Sequence, residues 1–236
     1  MGTKLPFKRR ATGLMALATL WTVLASCSGK PVPGSPEFRE RIRKGDIIVW
    51  TTPVGSRGLN LVTAAGGAKA SVQGGWEIIL DVEKYPEFLF GMLETKIVEV
   101  KSPNSPTAHR ILEFYINAPF PFRNIRTKVD MTCNEETLSC DFFAIEGNLR
   151  EMYGGLRIED WGDGFASITF QTFADFEYDN VPAKVINGVT EWVVRRWADD
   201  MKGRVLKEPW FSMPRKQRKQ MQPGEIKTEG LDDLLH

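Results

Sequence analysis

Eight short runs with a period of two, followed by one long run with a period of three to four, constrain this chain more than any other feature. The short runs are DIIVWTTPV (46–54), LNLVTAAGGAKA (59–70), LETKIVEVKS (93–102), HRILEFYIN (109–117), NIRTKVDMTC (124–133), LSCDFFAIEG (138–147), LREMYGGLRIED (149–160) and FASITFQTFAD (165–175). The breaks carry turn chemistry: Gly55–Gly58, Ser-Pro-Asn-Ser-Pro at 102–106, Pro-Phe-Pro at 119–121 and Trp-Gly-Asp-Gly at 161–164. Strands joined by such short turns pair antiparallel. From Pro182 onward Ile186, Val189, Val193, Trp197, Met201 and Val205 recur on one face of a helix of about six turns. Asp179 and Asn180 precede that helix, and Pro182 suits its first turn. A single antiparallel sheet with one amphipathic helix buries both apolar faces by curling, with the helix laid across the concave side.

Several strands alternate as this requires. Arg110, Leu112, Phe114 and Ile116 share one face of their strand, and Ile168 and Phe170 oppose Ser167, Thr169 and Gln171. A sheet of six to eight strands wrapped on one helix encloses more volume than the helix fills. The remainder is either a ligand cavity or space plugged by the chain's own aromatics, and 14 Phe with 7 Trp leave the second alternative open. One segment interrupts the strand order. WEIILDVEKYPEFLFGM (76–92) reads as helix, yet Pro86 stands in its middle and its apolar residues point almost everywhere. It is either one broken core helix or two short helices covering something.

The first residues bear on location. Lys4, Lys8, Arg9 and Arg10 precede the uncharged run ATGLMALATLWTVLA (11–25), which is too short to span a bilayer as a helix and has the layout of a secretion signal. Leu24-Ala25-Ser26-Cys27 follows and resembles the lipobox of bacterial lipoproteins. That resemblance implies removal of residues 1–26 and lipidation of Cys27. The chain would then be exported and lipid-anchored at the periplasmic face of the bacterial envelope, with Ser28 pointing to the outer membrane. The alternative is an ordinary signal peptide or an uncleaved anchor. Residues 27–43, the lipidated end and SGKPVPGSPEFRERIR, read as a tether to a domain over 44–206; residues 207–236 are a polar tail. Basic and acidic residues number 31 and 30, and loss of the four leader cations would leave 27 against 30. Nothing there suits nucleic acid, which wants a strongly basic surface. Cys133 and Cys140 flank a polar turn in TCNEETLSC. They are either a cross-hairpin disulfide, which export permits, or two half-buried thiols.

The joint pattern over roughly 44–206 resembles the START-like domains of the helix-grip superfamily of lipid-transfer proteins and polyketide cyclases. The residues that carry the resemblance are Trp76, Asp81 and Glu83-Lys84-Tyr85-Pro86-Glu87-Phe88, then the Val- and Glu-rich strand at 97–100. DIIVWTTPVGSRGLN, INAPFPFRNIR, LRIEDWGDGFASITFQTFAD and VPAKVINGVTEWVV match further family stretches in collinear order. The resemblance implies an α+β helix-grip fold: a curved antiparallel sheet wrapped around a long C-terminal helix, with two short helices inserted after the first strands. Pro86 then sits in the first turn of the second short helix, where its missing N–H costs nothing. The implied lid is residues 76–91, Pro119–Phe122 and Val181–Val185. Candidate cavity residues are Trp76, Leu80 and Phe88 from the short helices and Leu112, Phe114, Ile116, Tyr153, Ile168 and Phe170 from the strands. Ile186, Val189 and Val193 join them from the long helix.

Arg123-Asn124-Ile125-Arg126 departs from the family's Arg-Asp pair, Gly74-Gly75 weakens the start of the Trp76 helix, and Gly188 offers close approach of the long helix to sheet or ligand. No nucleophile elbow, metal-spaced cluster or phosphate loop is present in the sequence, and its two His are His109 and the terminal His236. A catalytic reading would rest on inward polar groups such as Arg110, Arg150 or Tyr153. The expectation is therefore a membrane-tethered, non-enzymatic binding protein for a lipid or other hydrophobic molecule, without cofactor, metal or nucleic acid, its protein partners open. A cyclase or dehydratase on an aromatic or polyketide-like substrate, and a filled-core structural lipoprotein, are the alternatives.

Overall fold

The structure is a computed structural model that describes residues 31–102, 107–118, 122–176 and 181–207. The leader, Cys27, Pro119–Pro121, Asp179, Asn180 and the tail from residue 208 lie outside the described residues. The chain divides into two compact units, residues 1–39 and 40–236. Helix α1 (Pro36–Arg43) crosses that boundary. Within the first unit Ser35 caps it, its Oγ accepting from the Phe38 N–H at 3.1 Å. Half of the segment expected as a tether is thus helical, because Gly, Pro and Ser give out at Ser35 and a Pro-led run of helix formers follows.

The second unit holds eight strands: β1 (Ile48–Val54), β2 (Leu59–Lys69), β3 (Met92–Val100), β4 (Thr107–Ile116), β5 (Ile125–Asn134), β6 (Ser139–Gly147), β7 (Glu151–Asp160) and β8 (Phe165–Asp175). They form one antiparallel sheet in the order β1-β2-β8-β7-β6-β5-β4-β3. The meander β3–β8 returns to pair with β2, so the first hairpin extends the sheet at its β8 side. Between β2 and β3 lie α2 (Val72–Leu80), a single 3₁₀ turn (Val82–Lys84) and α3 (Tyr85–Phe88), and α4 (Ala183–Lys207) closes the described chain. This is the expected α+β arrangement of a curved antiparallel sheet, inserted short helices and a long C-terminal helix.

Local chemistry sets each junction. Pro86 does occupy the first turn of α3. Trp-Gly-Asp-Gly turns β7 into β8 with Gly162, Asp163 and Gly164 all at positive φ, a run that suits glycines around an Asp, which like Asn tolerates that region. Ser71 caps α2 by accepting from the Gly74 N–H at 3.0 Å. Gly74 and Gly75 therefore lie inside the helix rather than ahead of it. A Cβ at Gly75 would come within 2.8 Å of Ile158 Cδ1, so this glycine seats α2 on β7. At the other end of α2, Arg110 Nη1 donates to the Leu80 carbonyl at 3.0 Å and the Tyr85 hydroxyl donates to the Ile79 carbonyl at 2.6 Å. Arg110, on the concave face as the alternation requires, thus caps a helix C-terminus.

Helix α4 lies nearest β2, whose concave face is Val62, Ala64, Gly66 and Ala68. Its fully buried stripe is Ile186, Thr190, Val194, Ala198, Met201 and Val205. The expected stripe is therefore rotated: Val189, Val193 and Trp197 are half-buried beside it. Thr190 sits inside because its hydroxyl donates to the Ile186 carbonyl at 2.9 Å. Asn187 accepts from the Asn60 N–H and donates to the Gly58 carbonyl, at 2.9 and 2.8 Å, tying the start of α4 to the β1–β2 turn. Gly188, expected to allow close approach, is exposed, and a Cβ there would meet nothing within 4 Å.

Cys133 and Cys140 are direct cross-strand partners and are disulfide-bonded, with Cα atoms 4.0 Å apart. On the convex face Asp130 accepts from Lys101 Nζ at 3.0 Å and from His109 Nε2 at 2.6 Å. Burial alone would push this carboxyl up; the Lys101 and His109 contacts outweigh it and hold the group below its ordinary value.

A carboxyl whose pKa is lowered by folding stabilises the fold above its unfolded value, near 4, and loses that contribution as pH falls through the folded value. Asp130→Asn is expected to be less stable than the native chain at neutral pH, with the gap in urea midpoints closing in acid below pH ~4. A gap that stays constant with pH would remove the ion cluster as its cause. Gly154→Ala would place a Cβ 2.1 Å from the Gln171 carbonyl oxygen. It is expected to cost about 2 kcal/mol or more, whereas Gly188→Ala should gain roughly 0.8–1 kcal/mol of helix propensity, both read as shifts in denaturant midpoint.

Candidate functional site

The space enclosed by α4 and the sheet is not filled evenly. Beneath β2 the small residues Ala64, Gly66 and Ala68 let the helix lie close. Toward β4–β7 the helix stands off, and two adjoining cavities of about 60 Å³ each remain. The first is lined by Tyr85, Leu89, Met92, Phe114, Ile116, Met131, Phe142, Met152, Leu156, Phe170, Thr172, Trp197 and Met201. The second is lined by Phe90, Ile116, Asn117, Ala118, Ile125, Leu149, Met152, Thr172, Ala174, Phe176, Val189, Thr190, Val193, Val194 and Trp197. Ile116, Met152, Thr172 and Trp197 belong to both walls and form the septum between them.

The walls are almost wholly apolar. Their one ionisable side chain is Tyr85, which is buried, already donates to the Ile79 carbonyl, and has its phenol pushed far above the ordinary range by that burial. Thr190 is likewise committed, to its own helix. Met92, Met131, Met152 and Met201 line the first cavity, half of the chain's 8 methionines. Unbranched thioethers re-pack at little cost, so this wall can change shape. At their present size neither cavity matches the roughly 150 Å³ void that takes up a benzene. A larger guest needs the septum to move.

The sequence candidates divide. Phe114, Ile116, Phe170, Val189 and Val193 stand on the cavity walls. Trp76, Leu112, Ile168 and Ile186 are buried in the packed core instead, at 1%, 0%, 5% and 2% exposure. Leu80 packs half-buried against the same core. Phe88 lies in a crevice with Ile78 and Arg204, whose guanidinium sits 5.4 Å from its ring centre. Tyr153 is a correction of face: it lies on the convex side, stacked on Phe173 at 5.0 Å, because Met152, Gly154 and Leu156 take the concave positions of β7. Arg150 pairs with Asp175 at 3.6 Å and lines neither cavity. Of the expected lid, Tyr85, Leu89 and Phe90 line the cavities; Pro119–Pro121 lie outside the described residues.

Sequence reasoning missed the four methionines, Trp197 and Thr172. The parity of Met152 with Leu156 and Ile158 was present in LREMYGGLRIED, masked by adjacent glycines that belong to either face. Among the described residues no group of three or more His, Cys, Asp or Glu stands close enough to hold a metal ion, and no helix is long and apolar enough to cross a membrane.

No protein-family model matches the chain, and no curated protein matches it significantly. Solved structures do match its fold. A START superfamily protein from Mycobacterium smegmatis superposes with TM-score 0.55 at 14% identity, over 62% of this chain and 97% of the other. A STAR-related lipid transfer protein fragment from Xanthomonas axonopodis gives TM-score 0.56 at 11% identity, over 68% and 94%. The Zhui aromatase/cyclase from Streptomyces sp. R1128 gives 0.50 at 11% identity, over 69% and 95%. At these identities the likeness is one of architecture, and the chain has the START-like, helix-grip fold.

Proposed function

We propose that this protein is a membrane-tethered binding protein or carrier that holds a lipid or other hydrophobic small molecule between α4 and the sheet. The observation that carries the reading is the wall itself: two adjoining apolar spaces, lined by adaptable methionines and aromatics, with no side chain in them charged at neutral pH. Removing apolar surface from water there supplies affinity at about 0.8 kcal/mol per CH₂. Thr172, at the septum, makes just two long contacts of 3.4 Å, to the Tyr153 and Phe173 carbonyls, and so has hydrogen-bonding capacity to spare for one polar group of a guest. The neighbour named as a lipid transfer protein supports the binding class.

The tether is part of the proposal. It rests on the basic leader, the apolar run and the resemblance of Leu24-Ala25-Ser26-Cys27 to a lipobox. An apolar ligand partitions into the bilayer, so a carrier anchored there meets its cargo at the source. The aromatase/cyclase neighbour raises a second reading, in which the cavity is catalytic. General acid–base work would need a group able to exchange protons within reach of the substrate, and Tyr85, raised far above neutrality and already bonded, is poorly suited to it.

Native mass spectrometry of the full-length chain, with solvent extraction of the same sample, tests the reading. The expected result is a discrete added mass, released as an apolar compound. A clean unliganded mass with no uptake from a mixed lipid and sterol panel would move the protein to the filled-core or enzymatic reading. Val189→Trp, which adds an indole to a wall position without disturbing the buried stripe of α4, is expected to lower affinity for the uncharged fluorophore N-phenyl-1-naphthylamine at least tenfold while the fold persists by circular dichroism. Undiminished binding by that variant would place the ligand elsewhere.

A further inference from the structure

The septum that separates the two cavities is also the point where α4 holds the segment between α3 and β3. Of its four residues, Ile116 and Thr172 are β-branched and sit on ladder-bonded strands, which leaves them stiff. Met152 is flexible. Trp197 is the bulkiest, packed 5.6 Å from the Phe170 ring, and its Nε1–H donates to the Phe90 carbonyl at 2.7 Å. The backbone N–H of the same residue is held too. The Phe90 N–H donates to Asp200 Oδ2 at 2.9 Å, one helical turn beyond Trp197. Asp200 is nearly buried and is steadied by Arg196 at 3.2 Å. The Phe90 ring meets Trp192 edge-on at 5.0 Å, although both rings are exposed.

Leu89–Gly91 is therefore strapped to three successive turns of α4 through one residue. Its far end is fixed differently. Gly91 has φ +73°, its carbonyl accepts from the Asn117 N–H at 2.7 Å, and a Cβ there would fall 2.9 Å from the Asn117 carbonyl oxygen. The Met92 N–H donates to the Leu89 carbonyl at 3.1 Å across Gly91, so a hinge at Gly91 gives up that one bond while the strap stays attached to the sheet. Phe90 itself is a wall of the second cavity, so lifting it exposes that cavity directly.

We propose that Trp197 is the valve of this site: its indole, on leaving the septum, joins the two cavities and at the same time gives up the Phe90 carbonyl, freeing Leu89–Gly91 as the entrance. Cavity size and access are then one event, since the side chain that divides the space also fastens the strap. The inference rests on the binding reading above and deepens it. The latch residues are positioning residues, acting on entry through the strap.

The test is the association rate of N-phenyl-1-naphthylamine with the full-length chain, by stopped-flow fluorescence. Trp197→Phe keeps an aromatic ring but removes the N–H; Asp200→Asn weakens the second fastening with the indole intact. Each is expected to speed association about tenfold, and the double variant less than the product of the two, because both hold the same residue. Amide exchange at Phe90 should quicken in both variants while exchange in β4–β8 is unchanged. Asp130→Asn, on the convex face, serves as the control for lost stability and should leave the rate unchanged. Binding by the native chain with unaltered rates in both variants overturns the valve and leaves the binding reading standing. Failure of native and variant chains alike to bind overturns both. Binding by the variants alone supports the valve, with the native septum closed to the probe. If Trp197→Phe does not fold, Asp200→Asn decides the question with the same rate and exchange readouts.

Discussion

The structure depends on how closely α4 can approach β2. On the concave face of β2 the helix meets Val62, Ala64, Gly66 and Ala68, and little side-chain volume holds it off. At Gly66 even a Cβ would run 2.4 Å from Ile47 Cδ1, so the packing there is at its limit. A long helix that is tight against one side of a curved sheet stands away from the other. Phe114, Met131, Phe142 and Leu156 on β4–β7 face the gap, and the two cavities are what those side chains leave over. The cavity is thus a consequence of uneven side-chain size across one sheet face.

The same geometry divides α4 by role. Its Ile186 and Ala198 positions are packed and set the helix in place, Thr190 and Val194 are buried yet border the second cavity, and Val189, Val193 and Trp197, a step around the cylinder, front the open space. Residues further around, Trp192 and Asp200, reach the α3–β3 connection. One helix therefore packs, lines and fastens on three adjacent stripes. Arg204 extends the fastening with a 3.3 Å contact to Glu87 of α3.

Much of the architecture was legible in the residues. Period-two runs and Gly/Pro turns located all eight strands to within a few positions, since alternation follows directly from one face being buried. Pro86 and the Glu-Lys-Tyr-Pro-Glu-Phe stretch marked the two short helices, and TCNEETLSC placed its cysteines either side of a hairpin turn while leaving open the bond that the structure shows between them. The site was less legible. The sequence leaves the face of Tyr153 open to misreading, because Gly154 and Gly155 carry no side chain by which to read the face of β7. The buried stripe of α4 was misread because Thr190 and Ala198 score poorly as apolar, though one hydroxyl satisfied within its own helix and one small side chain pack well against β2. Half of the supposed tether proved helical, as Pro36–Arg43 follows a serine cap.

What the sequence determined alone is whatever depends on local order: strands, turns, caps, the long amphipathic helix and their succession, and with them the class of fold. Which buried residues touch one another only to fill space, and which border a space left open, was decided in three dimensions. Leu112 and Phe114 share a strand face and differ by two residues, yet the first is sealed in the core and the second stands on a cavity wall. Phe90 and Trp197 are 107 positions apart in the chain and share a hydrogen bond. Periodicity fixes the side on which a residue lies; the height of the helix above that side, set by side chains on a distant strand, decides whether anything fills the gap.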